Sequence, residues 1–304
     1  MGLTNFPNGI SSFGVPVYGG SGHIDASGST YYVDGNSGSD GGNRNNGKSW
    51  DKAFKTLAYA FSVSHADIAR GSDRWARRNT IFIAGDQFNE DLAAWPQKTD
   101  VIGVGSYDAN TMPGIVGNHA PLNSAYGTRF INVKFTGTAA TAEPIITHTG
   151  VTAGATYISC LFTAAGSTTS AILATACPIK VFNCRFEGSF DTSYISIGAG
   201  QAQGTEIIGN RMFDAPAKGI IIDTAATSAT GSTIEDNTIQ CATICIDDVS
   251  DLFHIVGNNC ITAAAMTGSP SWDEGLNVNV LLSANNWLTA SNIAGPHPVV
   301  DTTT

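Results

Sequence analysis

Residues 207–212, Ile-Ile-Gly-Asn-Arg-Met, and 234–239, Ile-Glu-Asp-Asn-Thr-Ile, carry one pattern: an apolar residue, two others, an Asn, one more, and an apolar residue again. With the fourth position as marker, the pattern extends in both directions. It falls at Val133, Cys160, Cys184, Asn210, Asn237, Asn259 and Asn286, separated by 27, 24, 26, 27, 22 and 27 residues. Three places before the markers stand Phe130, Tyr157, Val181, Ile207, Ile234, Val256 and Ser283, of which only Ser283 is polar. Two places after them stand Phe135, Phe162, Phe186, Met212, Ile239, Ile261 and Leu288. Repetition at such a period marks a stacked architecture.

A second element follows later in each period: Ile145-Ile146, Ile172-Leu173, Ile195-Ser196-Ile197, Ile220-Ile221-Ile222 and Ile244-Cys245-Ile246, bounded by Gly, Thr, Ser and Ala. These β-branched runs are strand-length and too punctuated for helices. A repeat of two or three short strands cannot bury its apolar side alone, so successive copies must stack, each strand bonding to its counterpart one period away. The predicted fold is all-β, a right-handed parallel β-helix of about eight coils, with handedness following the bias of parallel crossovers. Stacking sets equivalent residues roughly 4.8 Å apart. Phe135, Phe162 and Phe186 then form an internal aromatic ladder, and Asn210, Asn237, Asn259 and Asn286 an amide ladder at a tight bend, where Asn tolerates left-handed backbone. An antiparallel β-sandwich also shows evenly spaced strands; the matched Phe and Asn columns favour the solenoid.

Composition agrees with a turn-rich, all-β body. The 304 residues include 34 Gly, 13% are charged, and 42% are hydrophobic, which is too apolar for a disordered chain. A formal charge of −10 with 15 Lys and Arg argues against nucleic acid as a partner. Membrane-span length is not reached by any apolar run, and the Met-Gly-Leu-Thr-Asn-Phe start lacks the basic and apolar regions of a signal peptide. The expectation is synthesis in cytoplasm and no membrane association. The six cysteines (160, 177, 184, 241, 245 and 260) read as small core fillers in strands. Cys160 and Cys184 share a column as reduced thiols, and Cys241 and Cys245 point inward.

Four regions follow along the chain. Residues 1–30, rich in Gly and Ser, carry scattered Phe6, Ile10, Phe13, Val15, Val17 and Tyr18 and read as an extended arm that docks on another subunit. Residues 31–79 hold a strand (Tyr31-Tyr32-Val33), a loop of turn formers over 34–48, and an amphipathic helix over 51–63. Phe54, Leu57, Ala58 and Phe61 give that helix one apolar stripe, suited to capping the open end of the solenoid. Arg70, Arg74, Arg77 and Arg78 beside Trp75 form a basic cluster, read as a solvated face or a partner for acidic neighbours in an assembly. Residues 80–290 are the β-helix, with excursions over 106–128 and 267–275, and 291–304 a tail.

Chemistry is sparsely signalled. The six histidines are scattered, and neither a nucleophile elbow, metal-ligand spacing nor a phosphate loop appears. No metal or other cofactor is implied. Asp34, Asn36 and Asp40 faintly resemble a calcium loop, but Gly38 stands where a ligand is due and the twelfth position lacks Glu. Counting three residues from the first Ile of each late strand gives His148, Thr175, Gly198, Asp223 and Asp247, which would set two carboxylates on adjacent rungs. Such a pair suits a retaining glycosidase, whose carboxyl groups stand about 5–5.5 Å apart. An Asp just after a strand is more often a solvated turn former, and Asp248 and Asp251 suggest an acidic edge.

Tyr-Tyr-Val-Asp-Gly-Asn-Ser-Gly-Ser-Asp (31–40), Asn-Gly-Lys-Ser-Trp (46–50) and Ala-Phe-Lys-Thr-Leu (53–57) resemble the start of pectate-lyase-like right-handed β-helix proteins. Residues 2–17, Gly-Leu-Thr-Asn-Phe-Pro-Asn-Gly-Ile-Ser-Ser-Phe-Gly-Val-Pro-Val, resemble the N-terminal arm of tailed-phage virion proteins. This resemblance implies a particle-associated structural protein, a head decoration, whose arm docks on the major capsid protein or other virion subunits. It also implies self-association, with a cyclic trimer the first expectation because closed symmetry is the norm. The calcium-binding Asp cluster and catalytic Arg of the lyases have no counterpart here, so lyase activity is not implied. The rival expectation is a tailspike-like protein that binds or cuts host-surface glycan through Asp223 and Asp247.

Overall fold

The computed structural model describes residues 11–12, 15–16, 28–41, 45–69, 77–85, 87–105, 111–121, 126–138, 142–150, 154–175, 177–198, 203–214, 216–222, 231–248, 253–262, 286–289 and 293–294. Short β-branched and aromatic strands recur there in fixed order and pair in parallel with their counterparts one period away, forming three walls. The first wall has nine strands: Thr30–Asp34, Asn79–Ala84, Thr99–Gly103, Arg129–Ile131, Thr156–Ile158, Lys180–Phe182, Glu206–Ile208, Thr233–Glu235 and His254–Val256. The second runs from Gln87–Asn89 through Gly114–Val116, Lys134–Thr136, Leu161–Thr163, Arg185–Glu187, Arg211–Met212, Thr238–Cys241 and Asn259–Thr262 to Asn286–Thr289, where Ile293–Ala294 adds an antiparallel strand. The third has five strands, Ile146–His148, Ser170–Ala174, Ser193–Ile197, Lys218–Ile222 and Ile244–Asp248. The chain is an all-β parallel β-helix.

Alternation within each strand sends one set of side chains into the bore. Phe130, Tyr157, Val181, Ile207, Ile234 and Ile255 enter from the first wall, Phe135, Phe162, Phe186, Met212, Ile239 and Cys260 from the second, and Ile146, Ile172, Ile195, Ile220 and Ile246 from the third, all fully buried. The expected aromatic ladder is present: Phe135, Phe162 and Phe186 pair in register, with ring centroids 5.3 and 4.9 Å apart and planes within 13° of parallel.

The bend between the first two walls has a two-residue logic. Its first residue takes positive φ at Asn132, Ser159, Asn183, Gly209, Asp236 and Gly257, between 50° and 69°. Its second turns inward as the marker. The side-chain acceptor of each marker takes the backbone N–H of the marker one coil earlier: Cys184 Sγ from Cys160 at 3.4 Å, Asn210 Oδ1 from Cys184 at 2.8 Å, Asn237 Oδ1 from Asn210 at 2.9 Å, and Asn258 Oδ1 from Asn237 at 3.0 Å. The amides also donate backward, Asn210 to Val181 O, Asn237 to Ile207 O and Asn258 to Ile234 O, at 2.8–2.9 Å. The ladder is thus real, with two corrections. Its last described member is Asn258, not Asn259, and the left-handed residues are those just before it. Asn259 and Asn286 pair with each other in the second wall, level with Thr238.

The helix differs too. Trp50–Lys52 is a single 3-10 turn, Phe54 is extended and bridges Val33, and the α-helix, α1, spans Leu57–Ala69. Its start is set by groups distant in sequence. Asp40 accepts the N–H groups of Lys55 and Thr56 at 2.8 and 3.1 Å, and the Glu90 carboxylate accepts those of Leu57 and Ala58, both at 2.8 Å. A carboxylate at a helix N-terminus satisfies orphan donors and the helix dipole together. On the buried face, Ser64 bonds Thr99 at 2.9 Å and Asn79 at 3.0 Å, while Phe61 packs edge-on against Phe130, 6.3 Å between centroids. α1 therefore lines the side of the first coils that the third wall takes over from Ile146 onward.

Candidate interaction surface

Along the third wall, Ile146, Ile172, Ile195, Ile220 and Ile246 are level with one another. Asp247 is consequently level with Ile221, two places before Asp223, and the predicted carboxylate column is out of register. The alignment by first Ile fails because Ile244 is level with Lys218, not Ile220. Between those pairs Gly219 sits over Cys245, where an added Cβ would meet the Cys245 carbonyl oxygen at 2.3 Å. Asp247 is ion-paired with Lys218 one coil earlier. Asp223 lies outside the described residues.

Other candidates serve the fold. Asp34 accepts the N–H groups of Asn36 and Ser37 at 2.9 and 3.1 Å, closing a local turn, and Asp40 anchors the approach to α1. The described members of the basic cluster are paired within the chain: Arg77 with Asp67 at 3.5 Å, and Arg78 with Asp100 at 2.6 Å. The fully buried Asp100 carboxylate also receives Arg129 in a fork, from Nε at 2.6 Å and Nη2 at 2.5 Å. That bond, ahead of the opposing cost of burial, holds the Arg129 pKa above its ordinary value. Arg70, Arg74 and Trp75 lie outside the described residues, as do Phe6, Ile10, Phe13, Val17 and Tyr18 of the arm. Val15 lies in a two-residue strand paired with Ser12.

Two scattered histidines meet inside the bore. His119 and His148 flank Trp95, with centroids 6.4 and 5.5 Å away, and His148 Nε2 lies 2.7 Å from the Tyr157 hydroxyl. His119 Nδ1 accepts the Leu92 N–H at 3.2 Å, and burial drives its pKa down to about 4 against the opposing pull of Asp91.

The outward face of the first wall carries what the sequence reading did not anticipate. Tyr32, Phe82, Ile102, Ile131, Ile158, Phe182 and Ile208 stand in one register column, each partly exposed, followed by Glu235 and Val256. Trp50, 43% exposed, extends the upper end by packing edge-on against Tyr32 at 4.8 Å, and Tyr32 stacks on Phe82 at 5.7 Å. From Tyr32 to Ile208 the stripe spans six rung spacings, about 29 Å. Beside it runs a polar column, Thr30, Thr80, Asp100, Arg129, Thr156, Lys180, Glu206, Thr233 and His254. Its Asp100 is paired with Arg129, and its Lys180 with Glu206. The signal was present in the sequence as doubled apolar residues, Phe130-Ile131, Tyr157-Ile158, Val181-Phe182 and Ile207-Ile208, one facing in and one facing out.

Comparison with protein-family models, curated proteins and solved structures finds no match to this chain. The fold and its exposed surfaces are what bear on function.

Proposed function

We propose that the protein is a structural subunit of a phage particle, a capsid-associated head decoration that self-associates as a homotrimer. The arm docks on the major capsid protein or other virion subunits, and the β-helix projects outward, stabilising the particle or presenting a binding surface. The observation that carries this reading is the continuous apolar column on the outer first wall, bordered by charges already paired within the chain. A long apolar stripe rimmed by polar groups marks contact with other protein. The resemblance of residues 2–17 and 31–57 to virion β-helix proteins supplies the context.

The test removes residues 1–27, leaving the first-wall strand at Thr30–Asp34 intact. The truncated protein is expected to keep its β-sheet spectrum and melting temperature yet fail to co-sediment with particles. Undiminished co-sedimentation would overturn the docking role of the arm.

A further inference from the structure

Cys241 ends the second-wall strand Thr238–Cys241, and Cys245 is the second residue of the third-wall strand Ile244–Asp248, so the two face each other across one corner of the coil. Both are fully buried, and their sulfur atoms are 2.6 Å apart. Non-bonded carbon atoms, smaller than sulfur, rest at roughly 3.5–4.0 Å, whereas a disulfide measures about 2.05 Å. The separation is nearer a bond than a packing contact. The other stacked pair behaves differently: Cys184 Sγ accepts the Cys160 backbone N–H at 3.4 Å, as Asn does elsewhere in that column.

The corner is held from above, Ala242 donating to Pro216 O at 2.7 Å and Thr243 to Ala217 O at 2.9 Å. Among the described residues, Ile244–Asp248 is the last strand of the third wall, paired there with Lys218–Ile222.

We infer that Cys241 and Cys245 are a disulfide-forming pair that staples the corner of the last described third-wall coil when the chain folds in the presence of a small-molecule disulfide. One thiolate attacks the disulfide RSSR, releasing RSH and leaving a mixed disulfide. The second protein thiol then attacks that intermediate and releases a second RSH. Two protein thiols are oxidised to one bond, and one RSSR is reduced to two RSH. The contact with Cys245, together with burial, holds the Cys241 thiol far above its ordinary pKa, so exchange is slow once the coil has closed. The redox state is thus fixed by the medium in which the coil closes.

The protein would be refolded from denaturant in a mixture of oxidised and reduced glutathione, alkylated under denaturing conditions and mapped by mass spectrometry. The expected result is one unalkylated peptide containing Cys241 and Cys245, lighter by about two hydrogens, with Cys160, Cys177, Cys184 and Cys260 alkylated. The oxidised protein should melt a few degrees higher than the reduced one, and Cys241→Ala/Cys245→Ala should erase that difference. If refolding is inefficient, full-length protein translated in vitro in the same glutathione mixture is mapped in the same way. Alkylation of all six cysteines, or a bond between any other pair, would overturn the assignment.

Discussion

His119 shows how a single buried side chain sets the response to acid. Its ring packs against Trp95 and Phe135, Nδ1 is committed to the Leu92 N–H, and Nε2 has no hydrogen-bond partner among the described residues. Protonation would bury a charge, and burial accordingly lowers the pKa to about 4. In the unfolded chain a histidine titrates near 6.5, so between those values the unfolded state binds more protons and stability rises with pH. Acidification from about 6.5 to about 4 should thus remove roughly 3 kcal/mol through this site, on the conversion of about 1.4 kcal/mol per pH unit. Melting temperature measured across that window should fall for the wild type and fall less for His119→Gln, which keeps an acceptor for Leu92. Equal slopes would mean that His119 does not titrate with unfolding.

At the scale of elements, the periodic columns were legible where one frame fits and ambiguous where two do. Phe135, Phe162 and Phe186 admit one alignment, and it holds. Around Gly257-Asn258-Asn259-Cys260-Ile261 the apolar-Asn-apolar pattern fits in two frames one residue apart. The structure takes the shorter coil, placing Asn258 21 residues after Asn237. Gly257 then occupies the left-handed position, and Ile255 and Cys260 fill the bore. The helix was visible from Leu57 and Phe61, although Ala58, expected in the same stripe, is exposed and Ala60 is buried instead; its start was not visible, because Asp40 and Glu90 fix it from outside the segment. The frame has an energetic consequence. Replacing Asn258 removes the acceptor of the Asn237 N–H at 3.0 Å and of the Asn237 side-chain amide at 2.9 Å, and the side-chain donor to the Ile234 carbonyl at 2.9 Å, while the Val256 carbonyl keeps the Asp236 N–H. Each buried orphan costs about 1–3 kcal/mol. Asn259 occupies a half-buried strand position on the outer side, where substitutions stay within about 0.5 kcal/mol. Asn258→Ala should therefore lower the denaturation midpoint strongly and Asn259→Ala hardly at all. The reverse order would restore the other frame.

For the whole molecule, the walls behave as a ruler: parallel pairing fixes the rung spacing, so any outward column becomes a straight, evenly spaced row. On the first wall that row is Tyr32, Phe82, Ile102, Ile131, Ile158, Phe182 and Ile208. None of these side chains is needed to fill the bore, since the alternate residues Tyr31, Ile81, Val101, Phe130, Tyr157, Val181 and Ile207 do that. In the proposed homotrimer this row is the surface on which copies meet. Two copies aligned in parallel present the same spacing to one another. Ile158→Asp/Phe182→Asp places two carboxylates in the middle of the row without touching the bore. The variant should melt within a few degrees of the wild type, since surface substitutions change stability by about 0.5 kcal/mol or less. In sedimentation velocity it should run as a smaller species than the wild type, because a desolvated carboxylate without a partner opposes association. An unchanged sedimentation coefficient in a folded variant would remove the first wall from the subunit contact.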